Sequence, residues 1–453
     1  TIESTVVDSI VAFPWRSGHS GWVGRESSCR RGCRVGKLSR VEAPKNFVPE
    51  PFGYHEEVEL RIEGLTNLGT GLGRVDGWVV MVPFTIPGER VRGRIYRNHP
   101  NYSEADLLEV REASPERVEP RCPLFGTCGG CQYQHLSYPA QLRWKREQIE
   151  EAFARIGGLS VEVAPPVPSP REYGYRSKLT PHYHRRTEDG NFPIGFLRAG
   201  QRNRLVDVPS CPIATPAINE ALPGVREAVR QEPAKGKGKR KKTGATLLLR
   251  ETMEGVETDP KAMVLERVGD RVFQFRAGEF FQNNPFLLPR FVSHVVDRAS
   301  EGGRFLVDAY CGAGLFAVAA ADRFERVVGI EVSDAAVRLA DSNAGLNGAG
   351  NAEFRTGETE RLFAEAAEFP PEETCVVLDP PRRGCDEDFL KQLVDFRPAR
   401  IVYVSCEPST QARDLAVLAG RGGAFSVVEA QPFDLFPQTR HVENVAVLVP
   451  AGE

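Results

Sequence analysis

What this chain of 453 residues lacks narrows its class first. No apolar run approaches the ~20 residues needed to cross a bilayer as a helix. The longest, around Val327–Ile330 and Val445–Val449, are strand-sized, so no membrane partner is expected. A secretory pattern of basic start, apolar middle and small-residue cleavage site is missing, and a cytoplasmic setting is expected. An excess of charge of one sign is lacking: the net charge is −3, so nucleic-acid binding would need a local basic patch. No internal repeat is visible, which excludes a solenoid. No phosphate-loop Lys-Ser/Thr follows a glycine turn, which disfavours a nucleoside triphosphate. No segment points to an obligate protein partner. What is present, 41% hydrophobic and 26% charged residues, is an ordinary globular composition, and the length suggests about three domains.

Residues 1–50 carry Gly, Ser, Arg and Pro with no clean period and are expected to form an extension without a fold of its own. Cys29 and Cys33 within it are weak evidence for a metal. From Val58, short alternating runs (VELRIEGL, GWVVMVPF, ERVRGRIY, DLLEVREA) predict a small antiparallel barrel over 51–113, with Gly69, Gly71 and Gly73 read as a tight, bulged turn. Apolar positions Leu142, Ile149, Phe153 and Ile156 predict a helix over Tyr138–Ile156. Between Arg171 and Arg204, eight Lys/Arg (171, 176, 178, 185, 186, 198, 202, 204) face three acids (Glu172, Glu188, Asp189) and interleave with Tyr173, Tyr175, Tyr183, Phe192 and Phe196. The mix suits phosphates and stacked bases, and it suits a solvated hairpin equally well. A lysine-rich run at 235–242 reads as an exposed loop. From Ala299 onward strands alternate with helices, which implies a doubly wound α/β sheet with active groups at the strand ends.

Four groups carry chemistry. In LVDAYCGAGLF a strand runs to Asp308 and a glycine turn opens a helix, while Glu331 ends the next strand, placed to hold two ribose hydroxyls. An adenosyl ligand without phosphates fits best. In VVLDPPRRG, Asp379 ends a strand before a stiff Pro-Pro loop, a pattern that leaves amine methylation open. In IVYVSCEPST, Cys406 ends the next strand just before a helix expected from Ser409 or Thr410. A helix N-terminus there would lower the thiol pKa. A thiolate can add to C6 of uracil and make C5 nucleophilic, and a base must then remove the C5 proton. Glu443, at the start of an apolar strand, is the first choice for that base and His441 the second. Finally, Cys122, Cys128 and Cys131, with Cys211 as a fourth ligand, suit zinc or an iron–sulfur cube, and the spacing leans to [4Fe–4S]. The other cysteines are scattered. Disulfides are not expected in a reducing compartment.

Taken together, SCEPST.ARDL, HVEN, DAYCGAG, FFQNNP and YGYRSK resemble the RNA uridine-C5 methyltransferases from about Tyr54 onward, and especially their iron–sulfur branch acting on 23S ribosomal RNA. The resemblance implies S-adenosylmethionine as methyl donor, contacted by Gln282, Tyr310, Glu331 and Asp379. It implies Cys406 as nucleophile and Glu443 as base, and Cys122, Cys128, Cys131 and Cys211 as ligands of a [4Fe–4S] cluster. It implies an N-terminal TRAM barrel of the oligonucleotide-binding type, a central cluster-bearing RNA-binding region at 114–270, and a methyltransferase domain at 271–453. RNA is the expected partner: ribosomal RNA first, uridine 54 of transfer RNA as the alternative, and a non-catalytic RNA-binding protein as a third reading. Glu407 departs from the Asn or Asp that the pattern leads one to expect.

Overall fold

The computed structural model describes residues 42–184, 192–201, 203–231, 245–357 and 368–452. Cys29 and Cys33, most of the 1–50 segment, Arg185, Arg186, Glu188, Asp189, Arg202 and the lysine-rich run lie outside the described residues.

The alternation in Glu57–Leu65 sends Val58, Leu60 and Ile62 to one face, and that face closes on itself. Five strands form a closed barrel in the order Glu57–Leu65, Thr70–Val75, Trp78–Pro83, Tyr102–Glu112, Arg90–Asn98. Its interior is filled by Val58, Leu60, Ile62, Val80, Val82, Val91, Ile95 and Ala105. Closure removes the exposed edges that a five-stranded sheet would otherwise carry. Outside, Arg90 and Arg92 pair with Glu57, Glu59, Glu109 and Glu112 across neighbouring strands, an acid–base ladder rather than a free basic stripe. One expectation is corrected. The glycine string is not simply a turn, because Gly71 and Gly73 sit inside the strand Thr70–Val75. A Cβ on Gly71 would lie 2.0 Å from Thr85 Oγ1, and one on Gly73 2.2 Å from the Arg61 carbonyl. Small residues are demanded by close approach of the barrel wall.

The barrel strands and Leu197–Arg204 belong to one compact unit, and the residues from Pro115 to Phe196 and from Leu205 onward to a second. In the second, a helix covers Tyr138–Arg155. Its buried stripe holds Ile149 and Phe153 as expected, but Gln141 and Lys145 complete it where Leu142 and Ile156 were read as core. Ile156 is half exposed at the helix end. Both polar residues are bound by a loop far along the chain. Lys145 Nζ meets Asp434 Oδ1 at 2.6 Å, with both side chains fully buried. The Gln141 amide exchanges hydrogen bonds with the side chain and backbone of Gln438.

The larger sheet has seven strands among the described residues, in the order Ala352–Thr356, Arg326–Glu331, Phe305–Ala309, Thr374–Leu378, Arg400–Ser405, Glu443–Pro450, Phe425–Phe433. The first five are parallel; Glu443–Pro450 runs antiparallel to them, and Phe425–Phe433, antiparallel to that strand, returns to their direction. Their Val- and Ile-rich centres are buried on both faces, as a parallel sheet covered by helices requires. The helix Leu288–Ser300 packs one face through Phe291 and Val295. Glu387–Phe396 and Pro408–Ala419 pack the other through Phe389, Leu393, Ala412 and Leu415. This is the doubly wound architecture read from the alternation of strands and helices.

Candidate active site

The carboxyl edge of this sheet collects the chemistry. Ala309 pairs with Leu378, and Leu378 with Tyr403, so the residues that follow the three strands (Tyr310, Asp379 and, two further on, Ser405-Cys406) emerge side by side. The strand Glu443–Pro450 runs the other way, so its beginning reaches the same edge. Ser405 pairs with Asn444, which sets Cys406 and Glu443 next to one another at the following register position. Thirty-odd residues of sequence separate them, and one antiparallel ladder joins them.

Burial dominates the electrostatics here. The Glu443 carboxyl is fully buried and held well above the usual carboxylate range, first by desolvation and then by the charge of Asp379, while Arg382 opposes the shift. Asp379 is pushed up to about 7 by burial. The Cys406 thiol is pushed up to about 12 by burial and by Glu443 and Asp379, against the charge and hydrogen bond of Arg382. This corrects the expectation of a lowered thiol. The helix does begin at once, at Pro408 with Glu407 as its N-cap residue, but a half-charge at a helix end is outweighed by desolvation and two carboxyl groups. Glu407 keeps out of the chemistry, its Oε1 accepting from Ser409 Oγ at 2.7 Å. His441 is pushed down to about 3 by burial and by the cations Arg440, Arg382, Lys145 and Arg176.

On the neighbouring side, Glu331 Oε2 accepts from Gly312 N at 3.2 Å and its Oε1 from Ser333 N at 3.1 Å. The carboxylate thus spans the glycine turn and the next helix start. Asp308 is fully buried, pushed up to about 8 by burial, with Asp379 and Glu331 adding to the shift; it accepts from Ala317 N at 2.8 Å. Gly312 and Gly314 take the left-handed region at φ 54° and 83°, and Tyr310 does so at φ 62°. For a tyrosine that is a strained position, of the kind found at ligand clamps. Gln282 is buried with its Oε1 lacking a hydrogen-bond partner among the described residues.

The loop that bears Gln282 is gripped by cations that sequence reasoning had assigned only to a general basic stretch or passed over. Lys178 Nζ donates to the carbonyls of Gly278 and Glu279, both at 2.9 Å. The fully buried Arg250 donates to Ala277 O at 2.9 Å and Glu279 O at 3.0 Å. Ser177 N reaches Asn283 O at 2.9 Å. Arg382 was missed as well, although it sits two residues past the Asp-Pro pair. Its adjacency to Cys406 was the only available signal, and adjacency is a tertiary property.

The four expected ligand cysteines are neighbours. Cys131 is pushed up to about 12, chiefly by burial, with Cys211, Cys128 and Cys122 each adding to it. Cys211 is pushed up to about 11 by burial, with Cys128 contributing. Yet among the described residues no three His, Cys, Asp or Glu side chains are arranged to hold a metal ion. The thiols gather without closing on a common centre. Their number and type fit a four-thiolate site, and their spacing does not yet make one.

The chain is similar to known proteins of one family. Residues 255–450 match the tRNA (Uracil-5-)-methyltransferase family and residues 55–108 the TRAM domain. A tRNA (uracil(54)-C(5))-methyltransferase of Schizosaccharomyces pombe is 41% identical over 423 residues, covering 88% of this chain and 79% of that protein. One from Saccharomyces cerevisiae is 35% identical, covering 87% and 74%. The crystal structure of the Pyrococcus abyssi tRNA (uracil-54, C5)-methyltransferase in complex with S-adenosyl-L-homocysteine superposes with a TM-score of 0.67 at 27% identity, over 86% of this chain and all of that one. The chain therefore belongs to the class I RNA uridine-C5 methyltransferase family, the S-adenosylmethionine-dependent enzymes of uracil C5 in RNA.

Proposed function

We propose that this protein methylates C5 of uridine 54 in transfer RNA, with Cys406 as nucleophile and Glu443 as base. The observation that carries the chemistry is the opposition of these two side chains across one antiparallel register. S-adenosylmethionine supplies an electrophilic methyl group. The chain's own residues do the rest. The Cys406 sulfur adds to C6 of the uracil, so that C5 gains the electron density to take the methyl. Glu443, as carboxylate, then accepts the C5 proton, and the Cys406–C6 bond breaks to release the product. His441 is the poorer base, because a conjugate acid that ionises near pH 3 has little affinity for a proton at neutral pH. Gln282, Tyr310, Glu331 and Asp379 are assigned to the cofactor and the base being modified, lining one edge with the buried Gln282 acceptor free to take a donor.

Transfer RNA replaces 23S ribosomal RNA as the preferred substrate, since the two fungal relatives and the archaeal structure are all uracil-54 enzymes. The target uridine must leave its stack to meet a sulfur at a sheet edge. The deciding experiment offers the purified chain a transcript of a T-arm and a fragment of 23S RNA, and maps 5-methyluridine by mass. Methylation of the T-arm at one uridine, lost in Cys406→Ala, is expected. Product on the ribosomal fragment alone would overturn the substrate. Failure to form a covalent adduct with 5-fluorouridine RNA would overturn the nucleophile and favour amine chemistry at the Asp-Pro-Pro loop.

The cysteine group is assigned as the ligand set of a [4Fe–4S] cluster on the strength of its motif and of Cys122, Cys128 and Cys211 all acting on Cys131; the cluster would have to draw the four thiols onto one centre. Anaerobic purification should give iron and acid-labile sulfide in equal amounts. Zinc in their place would identify a structural tetrathiolate instead.

A further inference from the structure

The motif after the nucleophile, Arg413-Asp414, plays no part in the steps above, yet Asp414 is fully buried and both of its carboxyl oxygens are engaged. Its Oδ2 accepts from Cys385 N at 2.8 Å and from the Tyr403 hydroxyl at 2.6 Å. Its Oδ1 receives Arg413 Nε and Nη2 at 2.9 and 2.6 Å. Arg413 Nη2 in turn donates to the carbonyls of Arg383 and Cys385 at 2.9 and 3.1 Å. One turn earlier on the same helix, Thr410 Oγ1 donates to the Arg382 carbonyl at 3.0 Å. The carbonyls of Arg382, Arg383 and Cys385 and the amide of Cys385 are therefore held by the helix that follows Cys406. The fit is tight: Gly384 sits at φ 77°, and a Cβ there would lie 2.5 Å from Asp414 Oδ2 and 2.6 Å from Arg413 Nη2. This turn carries Arg382, whose backbone is held by the helix next to Cys406 and whose positive charge favours the Cys406 thiolate.

We propose that Asp414 is a positioning residue for the methyl-transfer reaction: through Arg413 and Cys385 it fixes the 382–385 turn so that Arg382 stays on the Cys406 sulfur and stabilises its anion. The proposal rests on Cys406 being the nucleophile. Its physical basis is that the thiol stands in a pocket of like charge. The charged groups facing it are Glu443 and Asp379, which oppose ionisation, and Arg382, which favours it. Glu407, on its own segment, is engaged by Ser409. The Arg382 guanidinium is the cation whose charge offsets two carboxyl groups and desolvation at this thiol. It works only if the flexible Arg stem starts from a fixed backbone. Asp414 thus acts through two intermediaries and touches no reacting atom.

The test uses the full chain and reads Cys406 alone, as the rate of its carbamidomethylation near neutral pH followed on the Cys406 peptide by mass spectrometry. Well below the thiol pKa, that rate tracks the thiolate fraction. Arg382→Met should slow it about tenfold, the equivalent of one pKa unit. Asp414→Asn, nearly isosteric, should slow it at least about threefold and lower kcat in step, with KM for S-adenosylmethionine within about twofold of wild type. The double variant should be no slower than Arg382→Met, because both changes remove one effect. Tyr403→Phe, which removes the hydroxyl bonded to Asp414, and Thr410→Val, which removes the hydroxyl bonded to the Arg382 and Glu407 carbonyls, should move the rate the same way by less and carry the test if Asp414→Asn does not fold. Variants that melt earlier but alkylate at the wild-type rate would reduce Asp414 to a structural residue and overturn the proposal. Adduct formation with 5-fluorouridine RNA separates the two levels. An adduct with unmoved alkylation rates defeats the positioning role alone, whereas no adduct in the wild-type chain defeats the nucleophile and the proposal with it.

Discussion

At the scale of single residues, burial pushes Glu443, Asp379 and the Cys406 thiol toward their protonated forms. Glu443 illustrates the consequence. Its carboxyl is held above the usual range by desolvation and by Asp379, so a proton must leave it before it can serve as base. Glu443→Gln keeps the shape and removes that capacity. It should still add Cys406 to the ring and transfer the methyl, but it should stall before elimination. The expected outcome is an enzyme–RNA adduct that persists on denaturing gels and a turnover lowered ~10²–10⁴-fold; rapid turnover with no adduct would assign the base elsewhere. Cys406 and Glu443 stood out in the sequence because each lies at one end of an apolar run, at the rim of the expected sheet. Arg382 did not, and neither did Asp414. An arginine in a polar loop and an aspartate in a helix carry no periodic or compositional mark, and what distinguishes them is which atoms they meet after folding.

At the scale of elements, the base depends on a loop that does not stand alone. Residues 434–442, between the last two strands, are tied to the helix Tyr138–Arg155 by the fully buried Lys145–Asp434 pair and the Gln141–Gln438 exchange. The Tyr175 hydroxyl donates to Pro437 O at 2.9 Å. The amides of Gln132 and Tyr133, just past the cysteine loop, donate to Gln438 O at 3.1 and 3.0 Å. Lys145→Met leaves Asp434 buried without its cation, and removing one partner of such a pair costs about 3–5 kcal/mol. The urea midpoint should fall accordingly, while the paired Lys145→Met, Asp434→Leu should recover much of the loss; equal loss in both would show that the pair's geometry rather than its charge is what matters. Reading this helix from its apolar period identified its place and length but misassigned its stripe. Lys and Gln register as surface residues until a distant loop offers them partners. The barrel taught the reverse lesson: alternation marked four strands, and the fifth was hidden because close packing had replaced its side chains with glycine.

At the scale of the whole molecule, buried carboxyl groups give the chain a pH dependence of definite sign. Asp379 and Asp308 are raised to about 7 and about 8, chiefly by burial, and Glu443 shifts in the same direction. A carboxyl whose folded pKa lies above its unfolded one binds its proton more tightly when folded. The stability it contributes is complete below the unfolded pKa near 4 and is lost as pH rises through the folded value. The free chain should therefore melt at progressively lower temperature between about pH 5 and about pH 9, and the double change Asp308→Asn, Asp379→Asn should flatten that slope. A slope of opposite sign would mean that the ionised forms are the ones the fold prefers. The architecture itself was legible early, because strand and helix periods are local and because apolar runs alternating with helices are typical of covered parallel sheets. The sequence by itself determined the elements, the doubly wound class and the residue types able to do the chemistry. Only tertiary structure decided that residue 443 meets residue 406, that the thiol is disfavoured as an anion, that Arg382 acts on that thiol, and that the cations at 178 and 250 hold the backbone at 277–279. Those properties depend on distance and dielectric, which a one-dimensional pattern does not contain and a packed sheet edge creates.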